Sequence, residues 1–179
     1  MEAEKLEQDQ AQLKKEATDL FRSVLADERA PQRCEINAAW DTYPIPEEVA
    51  RQYLKLKLHA QLSSPFSATS VEDIIHPSET EVICSEDSAT KLNVERENAF
   101  AVSNDKNLYT LGTTYSFPVF NDSYDTAILV ITHTERFSYH PSVGTIKTAP
   151  MEAVGYAAIY TKSEDGVWRR IRTVDLFVT

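Results

Sequence analysis

Residues 127–131, Ala-Ile-Leu-Val-Ile, constrain the fold more than any other stretch of the chain. Side chains alternate across a strand, so Leu129 and Ile131 fall on one side and Ile128 and Val130 on the other. A strand that is apolar on both sides has to be covered on both sides, which makes 126–138 a central strand. Other segments near 81–84, 98–103, 107–120, 152–162 and 167–178 share its enrichment in Val, Ile, Thr, Tyr and Phe. Turn-forming clusters separate them: Ser103-Asn104-Asp105-Lys106, Asn121-Asp122-Ser123 and Ser163-Glu164-Asp165-Gly166. The last four segments read as an antiparallel meander. Ala153, Gly155 and Ala157 give one of its strands a small-residue face that a helix can approach closely.

Ahead of the meander the texture is helical. Leu6, Leu13 and Leu20 are seven apart, Ala17, Phe21 and Val24 fill the same stripe, and neither Gly nor Pro interrupts residues 2–26. This predicts a helix over 5–25, closed before Pro31, with an irregular connection over 27–45. Pro46-Glu47-Glu48 is a helix opening, with acids in the first turn. Residues 54–62 fit both a helical and an alternating pattern, and the strong start favours a helix to about residue 60. Thr69-Ser70-Val71-Glu72 has the capping-box pattern and predicts a short helix through Ile75, stopped by Pro77.

Helices first and strands afterwards describe an α+β domain: N-terminal helices packed on one face of a curved antiparallel β-sheet. The whole chain, 1–179, is expected to be a single domain, mainly helical over 1–78 and mainly β over 79–179. In element order alone the layout is similar to nuclear-transport-factor-type cone folds and cystatin-like folds; no motif accompanies that similarity.

Four glycines among 179 residues exclude glycine-rich phosphate loops and dinucleotide fingerprints. A net charge of −10 makes nucleic acid a poor partner, since phosphates are neutralised by clustered Lys and Arg. No apolar run is long enough for a membrane. The acidic, polar N-terminus is the opposite of a signal peptide, so a cytoplasmic location is expected unless such a peptide was removed. Cys34 and Cys84, fifty residues apart and outside any CxxC spacing, are then expected as reduced thiols.

The candidate chemistry is sparse. His133 and Glu135 share a strand face and could act as an acid–base pair, with Tyr139 and His140 just beyond and Arg136 facing the other way. Arg170 and Arg172 are expected on the face of Trp168, where they could hold a carboxylate or a phosphate. His59, His76, His133 and His140 form no ligand motif, so neither a metal nor a cofactor is expected. The densest charge feature is acidic, and Glu72, Asp73, Glu79, Glu81, Glu86 and Asp87 mark where a basic partner would dock. Two functions follow. The favoured one is a non-catalytic binding protein, an acidic inhibitor or immunity-type protein that neutralises a basic protein partner. The alternative is a small-ligand-binding or enzymatic cone-type domain with a pocket near His133 and Glu135. A deep cavity with convergent polar groups would favour the second.

Overall fold

The computed structural model describes residues 2–55, 70–79, 81–142 and 144–179. Three helices are present among them: α1 (Glu2–Asp27), α2 (Glu47–Leu54) and α3 (Glu86–Ala101). The strands are β1 (Ile36–Asn37), β2 (Ile83–Cys84), β3 (Asn107–Tyr115), β4 (Val119–Phe120), β5 (Thr126–Ser142), β6 (Thr145–Thr148), β7 (Glu152–Lys162) and β8 (Trp168–Val178). They form one sheet in the order β2-β1-β3-β5-β7-β8, with β4 and β6 also paired to β5. From β3 onward every pairing is antiparallel, while β1 runs parallel to both β2 and β3. The α+β class and the C-terminal meander are those expected from the sequence.

β5 is the central strand, and its five-residue apolar run organises two cores. Ala127, Leu129 and Ile131 pack with Ala17, Leu20, Phe21 and Val24 of α1 and with Tyr115, Tyr160 and Trp168. Ile128 and Val130 pack with Val49, Ala50 and Leu54 of α2 and with Ala157 and Ile159. The helices therefore divide between the two sheet faces: α1 carries the packing expected on one face, and α2 lies against the other. Ala157 admits α2 as its size suggests, whereas Gly155 is covered by a ring. A Cβ on Gly155 would stand 2.3 Å from Phe177 Cε1.

Three local expectations are corrected. The segment 98–103 is not a strand but the end of α3, a helix opened by Ser85, whose hydroxyl accepts from the Ser88 amide at 3.3 Å. α3 buries only Phe100 among its own residues, so no apolar stripe announced it. α2 ends at Leu54, with Lys55 in the left-handed region (φ 55°), so it does not run to residue 60; the remainder of 54–62 lies outside the described residues. A disulfide joins Cys34 and Cys84, which overturns the expectation of reduced thiols. Their backbones are already neighbours because Ile36 and Asn37 pair with Ile83 and Cys84.

Candidate functional site

The described residues enclose a cavity of about 390 Å³ beneath the end of α1, on the sheet face that α1 covers. Leu111, Thr113 and Tyr115 of β3, His133 and Glu135 of β5, and Glu152 and Val154 of β7 line its floor. Leu25, Glu28 and Arg29 at the end of α1 and Glu35 and Ile36 entering β1 form its wall. Register explains the convergence, because Thr113, His133 and Val154 stand opposite one another on three adjacent strands, as do Leu111, Glu135 and Glu152.

A row of polar contacts runs from Glu35 across this floor and on to Tyr156 and Arg170 beside it. Glu35, only 6% exposed, holds Arg29 through both oxygens at 2.6 and 3.0 Å and accepts the Gln32 amide at 2.7 Å. The Thr113 hydroxyl lies 3.4 Å from Glu35 Oε1 and 2.9 Å from His133 Nδ1. His133 Nε2 is 3.1 Å from the Tyr156 hydroxyl, which donates to Glu28 Oε1 at 3.2 Å. Arg170 Nη1 closes on the same oxygen at 3.2 Å. Burial lowers the pKa of His133 against the pull of Glu28 and Glu35, which favours the neutral ring. Burial, reinforced by Glu28, pushes the Tyr156 hydroxyl up to about 12. Tyr115 and Tyr160 are raised further by the same cause, burial first and then a nearby carboxylate.

His133 and Glu135 thus share one face, as expected, and both line the cavity. Tyr139 lies further along β5, where Phe137 stacks between it and Tyr109. His140 turns to the opposite face and is tied to the carbonyls of Phe100 and Thr145 at 3.1 and 3.0 Å, which removes it from the site. Arg136 also faces that side and pairs with Glu97 of α3. Arg170 and Arg172 do not share a face. A register shift between Ile159 and Tyr160 pairs Tyr160 with Arg170 but Ile159 with Arg172. Arg170 reaches Glu28 and Asp27 beside the cavity, whereas Arg172 crosses to α2 and donates to the Tyr53 hydroxyl at 2.9 Å.

The sequence reading missed Glu28, Glu35, Thr113 and Tyr156. They come from four places in the chain, and no local spacing links them. The alternation that puts Ala153, Gly155 and Ala157 on one side of β7 does put Tyr156 on the other, the one usable signal.

The acidic candidates Glu72, Asp73, Glu79, Glu81, Glu86 and Asp87 are all exposed, and Glu81 pairs with Arg33 at 3.0 Å. Glu72 and Asp73 lie in a single 3₁₀ turn, and Glu86 and Asp87 in the first turn of α3. Among the described residues no cluster of His, Cys, Asp and Glu is arranged to hold a metal ion, and no helix is long and apolar enough to cross a membrane.

Fold and site together define an α+β protein with a polar cavity between the end of its first helix and a central antiparallel sheet. No protein-family model, no curated protein and no solved structure matches the chain.

Proposed function

We propose that the protein binds a small polar ligand, neutral or cationic, in the cavity floored by Thr113, His133 and Glu135. The observation that carries this reading is the convergence of polar groups from β3, β5, β7 and the end of α1 on one concave space. A cavity with a few placed polar groups and a perturbed titratable residue is the usual form of a binding site. Its charge selects the ligand. Glu28, Glu35, Glu135 and Glu152 line it against Arg29 alone, and Arg29 is already committed to Glu35. Even with Glu35 paired to Arg29 and Glu28 to Arg170, the lining is net acidic and disfavours an anion. Both His133 nitrogens are engaged within the protein, which supports binding rather than catalysis by an acid–base pair.

Titration of a fragment library of amines, polyols and carboxylic acids, followed by amide NMR, tests the proposal. Amines or polyols are expected to shift Leu111, Thr113, His133 and Val154. Binding confined to carboxylic acids, or shifts confined to α3 and its surroundings, would sink it.

A second reading keeps the acidic surface as the working part. Here the protein is a non-catalytic inhibitor of a basic protein partner, favoured by the exposure of the six acids named above. The disulfide also supports an oxidising compartment over the cytoplasm, because reducing conditions would keep Cys34 and Cys84 as thiols.

A further inference from the structure

We infer that the chain Glu35–Thr113–His133–Tyr156–Glu28 is a proton-operated clasp that regulates the cavity described above: one proton added at His133 ties both walls to the floor. The inference rests on the cavity reading only for its consequence, because the clasp is defined by the protein's own groups.

The argument is a count of protons. Four links join the five groups: Glu35 to Thr113, Thr113 to His133, His133 to Tyr156, and Tyr156 to Glu28. Each link needs one hydrogen. The two carboxylates supply none, the two hydroxyls supply one each, and a neutral imidazole supplies one. Three hydrogens cannot make four links. An imidazolium supplies two, and only then is every link made: Nδ1–H to Thr113, Thr113 to Glu35, Nε2–H to Tyr156, Tyr156 to Glu28.

Distances show which link the neutral state gives up. The Thr113 to Glu35 bond, at 3.4 Å, is the longest of the four, and Glu35 is otherwise satisfied by Arg29 and the Gln32 amide. In neutral protein the Thr113 hydroxyl therefore turns to Nδ1, and the ring carries its hydrogen on Nε2. Adding a proton to Nδ1 forces the hydroxyl back to Glu35. That draws the segment entering β1 onto the sheet, while Glu28, 3.9 Å from Nε2, holds the end of α1.

The groups that oppose or assist the change face the same space. Burial opposes the charged ring, Glu28 and Glu35 favour it and Arg29 opposes it, while Glu135 and Glu152 line the same cavity and Arg170 is paired with Glu28. Tyr115 and Tyr156 stay protonated throughout because burial raises both. Burial of the ring outweighs the carboxylates, so the clasp closes below the ordinary histidine value rather than at neutral pH. Closing places a positive charge on the cavity floor, and a cationic ligand is released as the pH falls.

Nitrogen and carbon NMR of the histidine rings in the full chain, followed from about pH 8 to pH 4, tests this without any ligand. Neutral His133 is expected as the Nε2–H tautomer. Its midpoint should lie below 6.5, and the Gln32 amide proton should shift with the same midpoint. In Thr113→Val the ring should still titrate while Gln32 no longer follows it. Tyr156→Phe cuts the chain on the other side and should leave Gln32 coupled to the ring; it also serves if Thr113→Val does not fold. An Nδ1–H tautomer, a ring that does not titrate in this range, or a Gln32 response that persists in Thr113→Val would overturn the clasp. If the clasp holds while no fragment binds the cavity, only the ligand reading fails.

Discussion

Glu35 is buried with three donors within 3.0 Å of its carboxylate, two from Arg29 and one from the Gln32 amide. Glu35→Gln keeps the volume but loses the charge and misplaces a donor where an acceptor is needed. Breaking a fully buried pair costs roughly 3–5 kcal/mol, and the half-exposed Arg29 can return to water, so about 2 kcal/mol is expected by urea unfolding. His133 makes the stability depend on pH. Burial holds its folded pKa below its unfolded value, so between those two values the native chain binds fewer protons than the unfolded chain. The contribution is therefore complete above about pH 6.5 and is lost as pH falls through the folded pKa. Thermal melts between about pH 7 and 5 should show a declining midpoint in the natural chain and a flatter profile in His133→Gln. An equal decline in both would show that other groups govern this range.

At the scale of elements, the disulfide and α3 are linked. Cys84 is the last residue of β2, and α3 opens one residue later at Ser85, so the bond to Cys34 anchors a helix with little packing of its own. Closing a loop of about 50 residues in the unfolded chain is worth roughly 4 kcal/mol on the chain-entropy account. Reduction, or paired Cys34→Ser and Cys84→Ser substitutions, should lower stability by 2–4 kcal/mol, read by urea unfolding. Amides of α3 should exchange with solvent well before those of β5 and β7, because local opening follows the apolar area an element buries. Protection in α3 equal to that of β5 would contradict the weak packing seen here.

These elements also mark what could be read in advance. β5 was legible because four successive residues, Ile128 to Ile131, leave a strand no exposed side. α1 was legible from its uninterrupted stripe. α3 was not, because its exposed Val94 and scattered polar residues have no helical face to betray it. Arg172 was assigned to the wrong face because a register shift inverts alternation without changing composition. His133 and Glu135 were found as a pair through period two, but the groups that engage His133 arrive from distant segments and become neighbours only through strand register.

For the molecule as a whole, a net charge of −10 gives the acidic-binder reading a quantitative test. Association with a basic partner should slow by at least tenfold between about 0.02 and 0.15 M salt, where the Debye length falls to about 8 Å. Reversing Glu79, Glu81, Glu86 and Asp87 together should slow it further and leave the melting temperature nearly unchanged, since exposed acids contribute little to stability. A salt-independent rate would remove that reading.

The placement of α1 has a consequence for how the chain is made. Leu20, Phe21 and Val24 bury themselves against Tyr160 and Trp168, residues roughly 140 positions further on. At 5–20 residues per second a ribosome takes about 7–30 s to supply them. During that interval the first helix is outside the tunnel with its apolar stripe uncovered, and β1 likewise waits for β3. Holding chaperones are expected to cover that stripe until β7 and β8 emerge. Arrested nascent chains ending before residue 160 should be retained by them, and chains that expose β8 released.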